Sequence, residues 1–336
     1  MGFNELNSVE HYIIHQLSGV NLNSKEVKEP ASGYGAQWVF KSSEELQRSV
    51  NEVLVESEFK EALLRLNPDI ASKPELADEV IYKLRAVLIA VNQVGLVKAN
   101  EEFFKWMTGE KTMPFGDNNR HVPIRLIDFE ELSNNTYIVT NQYRIHHRET
   151  KIPDVVMMIN GIPVVVGEAK TPIRPSVSWL DGAHEVHDIY ENAVPQLFVP
   201  NILSFATEGK ELYYGAVRCP LEFWAPWRLE NDDDAIAKRL GLGEVGKELS
   251  DLLNPARLLD IMRNFSLFST DKKKRRIKII PRFQQYEGAN KIVERVKEGR
   301  VKKGLIWHFQ GSGKSFLMVF AAQKLRREPD LKRPTV

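Results

Sequence analysis

Very little in this sequence is extreme, and several of its shortages exclude whole classes of function. A single cysteine, Cys219, stands in 336 residues. That rules out an intrachain disulfide framework and agrees with a reducing compartment. No apolar run approaches the roughly 20 residues needed to cross a bilayer. The first residues, Met1-Gly2-Phe3-Asn4-Glu5, lack the basic stretch and apolar core of a secretion signal, and Leu6 stands where a myristoylation site would carry serine or threonine. These features predict a cytoplasmic protein with no membrane attachment. Charge is also nearly balanced, with a formal net of +1, so a surface for nucleic acid must be a local patch. Eight histidines are scattered. His184 and His187 share a helical spacing, but with no cysteine or third histidine near them they read as surface or DNA-backbone contacts rather than a transition-metal site.

Against that background, His308-Phe309-Gln310-Gly311-Ser312-Gly313-Lys314-Ser315 stands out. Glycines here let backbone N–H groups close around phosphate oxygens. A lysine reaches the β/γ-phosphates and a hydroxyl holds Mg²⁺. Gly311, Ser312, Gly313, Lys314 and Ser315 are therefore candidate ATP–Mg²⁺ contacts. Gly304-Leu305-Ile306-Trp307 reads as the preceding strand and Phe316 to Arg327 as the following helix. His308 occupies the place where the usual pattern has its first glycine. A P-loop domain also needs an acidic residue on a later strand. The expectation is thus an N-terminal piece of a longer protein, or a chain ordered only this far.

The periodicity predicts helices over 5–18, 42–65, 76–96 and 181–194. It predicts strands over 123–130, 136–140, 152–159, 162–169, 200–207 and 211–217, with a turn at Gly33-Tyr34-Gly35. A connecting helical segment carries Asp232-Asp233-Asp234 across 228–258, and 271–276 reads as a charged loop. Trp224 and Trp227 read as packing at the domain boundary. The division predicted is an α/β domain with its connector over 1–258 and the start of a P-loop domain over 259–336.

A second constellation lies on the hairpin. Asp154 precedes one nearly all-apolar strand, and Glu168-Ala169-Lys170 ends the next, around Asn160-Gly161. Carboxylates that hold Mg²⁺ and a cation near the scissile phosphate are what phosphodiester hydrolysis needs. Glu168 and Lys170, two apart on a strand, share a face. Asp154 joins them only if the register cooperates. A plain two-residue turn pairs Asp154 with Gly167 and sends Glu168 to the other side. A three-residue turn with Gly161 as a bulge, or an equivalent bulge elsewhere, puts all three together. The carbonyl of Ala169 is a further candidate metal ligand. A hairpin whose ends carry only solvated charges is the competing reading. Arg144-Ile145-His146-His147-Arg148 makes a basic stretch before Asp154, readable as a phosphate contact or as a solvated loop.

These residues together resemble the N-terminal part of the R subunit of type I restriction enzymes, over nearly the whole chain. That family joins a PD-(D/E)XK nuclease domain to a superfamily 2 DNA-translocating motor. Gly304 to Ser315 looks like its first motor motif, and that match accounts for His308. Pro281-Arg282-Phe283-Gln284-Gln285-Tyr286 looks like its adenine-reading motif, with Gln285 as the adenine contact and Gln284 as the alternate. Trp179-Leu180-Asp181-Gly182-Ala183 and Val194-Pro195-Gln196-Leu197-Phe198 also resemble the family. Asp154, Glu168 and Lys170 fall on the nuclease motif, and Glu10 resembles the acidic residue these nucleases often carry near the metal, with a solvated helix glutamate as the competing reading.

The resemblance implies a restriction-endonuclease-like mixed sheet flanked by helices, followed by the beginning of a RecA-like domain. It implies Mg²⁺ and ATP as cofactors, and as partners double-stranded DNA and the methylation (M) and specificity (S) subunits. The activity implied is ATP-dependent DNA cleavage coupled to translocation. The alternative is a helicase or remodeller whose N-terminal domain binds DNA or a partner without cutting. Relatives often place a glutamine four residues before a tyrosine on the helix after the lysine. Here Val186 holds that place before Tyr190, flanked by Glu185 and His187. Either the helix carries an extra residue or another side chain substitutes.

Overall fold

A computed structural model of the chain describes residues 5–22, 26–27, 38–171, 176–227, 243–300, 303–307 and 311–331. The expected turn at Gly33-Tyr34-Gly35, the Asp232-Asp233-Asp234 stretch, and His308, Phe309 and Gln310 lie outside them.

The centre is a seven-stranded mixed sheet. Its strands are β1 (Val39–Phe40), β2 (Tyr137–Asn141), β3 (Val155–Ile159), β4 (Ile162–Ala169), β5 (Leu203–Thr207), β6 (Leu212–Gly215) and β7 (Ala225–Pro226). They lie side by side in chain order, parallel at β1–β2 and β4–β5 and antiparallel elsewhere. Every residue of β3 and β4 is buried, and only one of them is charged, Glu168. A strand covered on both faces has no use for alternation, which explains the near-continuous Val/Met/Ile runs.

Helix α1 (Glu5–Ser18) packs beside β2. Helix α2 (Glu56–Leu66) starts just after the segment that touches the β3–β4 turn, where the Val55 N–H donates to the Gly161 carbonyl. The 42–65 expectation is corrected to this shorter helix. In the missing part, the N–H groups of Ser42 and Ser49 donate to the carboxylates of Glu45 and Glu52, and such local bonds compete with helix. Gly95, at φ 84, ends the predicted 76–96 helix as α3 (Leu76–Val94), and a helix that the periodicity did not predict, α4 (Leu96–Met107), follows it. The predicted strand at 123–130 is mostly irregular. The short strand there is Arg120–Pro123. Beyond it, the Asn67 side chain takes both the N–H and the carbonyl of Arg125, groups that a neighbouring strand would otherwise pair.

Helix α5 crosses the far half of the sheet. It runs through Trp179–His184, a π-helical turn over Glu185–Tyr190, and Glu191–Ala193. A capping box between Ser178 and Asp181 starts it. Helices α6 (Gly243–Leu252) and α7 (Pro255–Asn264) follow. Next come a hairpin of β8 (Leu267–Thr270) and β9 (Arg276–Ile279), helix α8 (Phe283–Glu298) and helix α9 (Lys314–Arg327). The charged loop expected over 271–276 is the turn of that hairpin as far as Arg275, and Arg276 opens β9.

The later elements are fastened to the sheet. Lys278 on β9 is fully buried and donates to the carbonyls of Asn201 and Ile202, with its ammonium 3.9 Å from the centroid of the Phe104 ring. Arg276 forms an ion pair with Glu101, and the Tyr214 hydroxyl donates to the Pro281 carbonyl. Trp227 is fully buried with its ring edge-on to Tyr214 and Phe283, and Trp224 fills the space beside Gly215. Both tryptophans pack, as expected.

Residues 303–307 do not form the strand predicted for 304–307. No strand among the described residues lies alongside to supply ladder bonds, and Leu305 and Trp307 stand exposed.

Gly161 is a turn position with no room for a side chain. Its φ is +75, and a Cβ there would lie 2.5 Å from the Val55 carbonyl oxygen. Gly161→Ala is expected to cost about 2 kcal/mol or more, from a left-handed non-glycine plus that contact. Chemical denaturation of the variant against wild type checks it.

Candidate metal and nucleotide sites

The register at the hairpin decides which side chains meet. Ile159 pairs with Ile162, so the turn is the two-residue Asn160-Gly161 loop, both at positive φ. The three-residue turn is not formed. A bulge occurs instead between Pro163 and Val165: Met158 faces Pro163, Met157 faces Val165, and Val164 is extra. Below it Val155 pairs with Gly167, which sets Asp154 opposite Glu168. The bulge elsewhere that the three charges required is therefore present at Val164, and the acids share one face.

Glu168 is almost wholly buried. Lys170 donates to its Oε1 at 2.9 Å, while its Oε2 has no hydrogen-bond partner. Asp154 is half-buried and accepts the Ala169 N–H on Oδ2 at 2.9 Å and Gln142 Nε2 on Oδ1 at 3.2 Å. Ala169 thus joins the two acids through its backbone. Glu10, read from sequence as either a site residue or a solvated helix glutamate, is buried. Asn141 donates to one of its oxygens at 2.5 Å and the same Gln142 amide to the other at 2.9 Å. Gln142 therefore bridges Glu10 and Asp154. Neither Asn141 nor Gln142 stands out in the sequence. The signal that could have found them is their position, on the strand next to Asp154 at the end where Glu168 also lies.

The electrostatics follow from this crowding. Burial first, and then the neighbouring Asp154 charge, push the Glu168 carboxyl well above the usual range, against the pull of Lys170. Burial raises Asp154 too, offset in part by the Ala169 N–H and Lys170. Glu10 is raised to about 7 by burial, with a further rise from the Asp154 charge and opposition from Asn141 and Gln142. Burial alone would depress Lys170, but Glu168 and Glu185 hold it above its ordinary value.

The π turn settles the spacing on α5. Glu185 lies five residues before Tyr190. In an α-helix they would be rotated apart, but a π turn aligns i with i+5. The Tyr190 hydroxyl donates to Glu185 Oε1 at 2.9 Å, and Lys170 donates to Oε2 at 2.5 Å. Glu185 thus stands between Lys170 and Tyr190 and accepts from both. Gly182 lets this helix sit close to the sheet, since a Cβ there would lie 3.3 Å from the Ala206 Cβ, with Glu168 Cγ next at 3.4 Å. His184 and His187 both contact Asp188 at the surface. Among the described residues no three His, Cys, Asp or Glu side chains converge into a ligand cage.

At the nucleotide loop, Gly311 and Gly313 have φ of +84 and +80, and Ser312 is buried with an unpartnered hydroxyl. Lys314 and Ser315 open α9 and are exposed. Gln285 lies on this loop. Its Nε2 donates to the Ser312 carbonyl at 3.0 Å and its Oε1 accepts the Arg282 N–H. Gln284, beside it, is half-buried.

Comparison with known proteins gives two family matches. Residues 4–223 match the type I restriction enzyme R protein N terminus, and residues 284–336 match the SWI2/SNF2 ATPase family. The type I restriction enzyme HindI endonuclease subunit of Haemophilus influenzae is 31% identical over 294 residues, covering 84% of this chain and 27% of that protein. Two Methanocaldococcus jannaschii proteins are named as endonuclease subunits of type I restriction enzymes MjaVIIIP and MjaIXP. The first is 30% identical over 63% of this chain and 20% of its own length, and the second 24% identical over 98% of this chain and 32% of its own length. The chain thus spans a third or less of the curated relatives it matches.

Asp154→Asn removes a charge that raises Glu10. The Glu10 carboxyl should then titrate below the wild-type value near 7, as read by carbon-13 NMR of labelled glutamate. An unchanged value would mean that the two acids do not share a field.

Proposed function

The chain belongs to the type I restriction enzyme R protein N-terminal family, and from that premise we propose that it cleaves DNA by metal-dependent phosphodiester hydrolysis at Asp154, Glu168 and Lys170. The observation that carries the reading is the unpartnered, buried Oε2 of Glu168, which lies on a strand end paired with Asp154. A buried carboxylate oxygen with no donor is costly unless a cation completes it.

Mg²⁺ fits that deficit. It commonly takes one or two carboxylates and keeps several waters, which agrees with two acids and no closed cage. Asp154 and Glu168 would hold it, with the Ala169 carbonyl as a further ligand and Glu10 behind through Gln142. When bound, the ion supplies Lewis acidity and a water of lowered pKa. The residues themselves do the rest. Lys170 brings an ammonium to the mouth of the site, where it can stabilise charge on a phosphorane-like transition state. Glu185 and Tyr190 hold that ammonium in place. Asn141 and Gln142 fix Glu10 and Asp154 as acceptors.

Gly311, Ser312, Gly313, Lys314 and Ser315 would bind ATP–Mg²⁺, with Gln285 bracing the loop and available to the adenine. ATP-driven DNA translocation, assembly with methylation and specificity subunits, a cytoplasmic setting and the 1–258 and 259–336 division belong to the same proposal. Among the described residues no helix is long and apolar enough to cross a membrane.

Calorimetric titration with Mn²⁺ tests the site. Wild type should bind, and Asp154→Ala and Glu168→Ala should each abolish binding, while Lys170→Met should keep the metal and lose cleavage of duplex DNA by about a hundredfold or more. A wild type that binds no metal with DNA present would leave a docking module instead of a nuclease. Lys314→Ala should abolish ATP binding and leave Mn²⁺ binding unchanged.

A further inference from the structure

Between Gln142 and Asp154 the chain leaves the sheet, runs out as a short two-stranded ribbon and returns. Ile145 pairs with Lys151, and His146 with Thr150. Both feet of the ribbon are site residues: the Gln142 N–H donates to the Asp154 carbonyl at 3.0 Å, and the Tyr143 N–H to the Pro153 carbonyl at 3.0 Å. Whatever the ribbon touches is therefore placed relative to the carboxylates.

Its outgoing strand alternates. Tyr143 and Ile145 are buried, while Arg144 and His146 are exposed, as is Arg148 beyond them. The inner side is rigidly seated. The Tyr143 hydroxyl donates to the Val53 carbonyl, and the Arg48 guanidinium lies 3.6 Å from the centroid of the Tyr143 ring and donates to the Arg144 carbonyl. Backbone bonds run from His146 to Val50 and from Arg148 to Ala193. The Arg148 side chain reaches Asn92 at 3.3 Å.

The outer side is uncompensated. Glu149, the one acid on the ribbon, is paired with Lys151 at 2.7 Å. Among the described residues no carboxylate forms a salt bridge with Arg144, His146 or Arg148. In a chain of net charge +1, two guanidinium groups without a carboxylate partner, on a preorganised ribbon beside an acid-rich site, form a distinct local field. A polyanion approaching Glu10, Asp154, Glu168 and Glu185 needs such a counterweight.

We propose that the outer face of the 143–151 ribbon, through Arg144 and Arg148 with His146 between them, binds phosphates of duplex DNA flanking the bond to be cut. This rests on the reading of the carboxylate site as a DNA phosphodiesterase, and it assigns the ribbon a binding role, with no part in the chemical step. Arginine suits it, since its planar fork matches phosphate oxygens and remains charged.

The test is binding of the full chain to a short duplex DNA by fluorescence anisotropy, in chelator, across a salt series. Arg144→Ala/Arg148→Ala should weaken binding about tenfold at low salt. It should also reduce the slope of log affinity against log salt by about 2, near 0.9 for each phosphate no longer neutralised. Arg144→Lys/Arg148→Lys should recover most of the slope, and Arg120→Ala, on the separate hairpin that ends at Pro123, should leave it unchanged. Circular dichroism melts confirm that each variant folds. A slope equal to wild type in the double alanine variant, or a wild type without salt-dependent DNA binding, overturns the proposal and leaves the patch to an acidic protein surface. A reduced slope in a protein that neither binds Mn²⁺ nor cuts would keep the ribbon and remove the nuclease. Cutting that persists with an unchanged slope would do the reverse.

Discussion

One extra residue in a buried strand organises the candidate site. Side chains on a strand alternate, so a slip of one position exchanges its two faces. Val164 supplies that slip in β4. Without it, the Asn160-Gly161 turn would set Asp154 against Gly167 and aim Glu168 at the opposite layer of the protein. With it, Asp154 and Glu168 stand across from each other, Lys170 projects beside them, and Gly182 of α5 closes over Glu168. The bulge sits among fully packed residues, where Ile202 donates its N–H to the Val164 carbonyl at 2.7 Å. Its position is thus fixed by neighbours on both sides.

A second constraint comes from charge. Glu10, Asp154 and Glu168 are held in or near a low-dielectric interior, where Asp154 raises the proton affinity of Glu10 and Glu168, and Glu185 that of Asp154 and Glu168. Folding tolerates this because donors are arranged around them: Asn141 and Gln142 on one side, the Ala169 N–H in the middle, Lys170 on the other. Glu185 then adds a further negative charge to the lysine side. The π turn that delivers Glu185 is less favourable than a regular helical turn and is seen mainly where a helix serves a site.

Much of this could be read from residue order, but unevenly. The two apolar strands, their turn and the three charges at their ends were legible because burial on both faces leaves such a plain pattern. The need for a bulge was legible as geometry; its location was not, because Val164 is one valine among three. Glu10 could not be separated from a solvated helix glutamate, since its burial depends on Asn141 and Gln142, more than a hundred positions away. Helix and strand limits failed where side chains took over backbone partners, as Glu45 and Glu52 do before α2 and Asn67 does at Arg125. The strand expected at 304–307 depended on neighbours to pair with, and propensity alone carries no information about them.

The buried ammonium of Lys278 has a mechanical consequence. It sits under the ring of Phe104 and against the carbonyls of Asn201 and Ile202, immediately ahead of β5, and only a few positions before the segment that braces the phosphate loop. Swinging that segment away from the sheet would drag an ammonium out of its two carbonyls, together with the Arg276–Glu101 pair and the Tyr214 bond to Pro281. The 267–286 stretch therefore acts as a stiff strut rather than a hinge. It ties the segment beside Ser312 to the residues ahead of β5, the neighbour of the strand that carries Glu168.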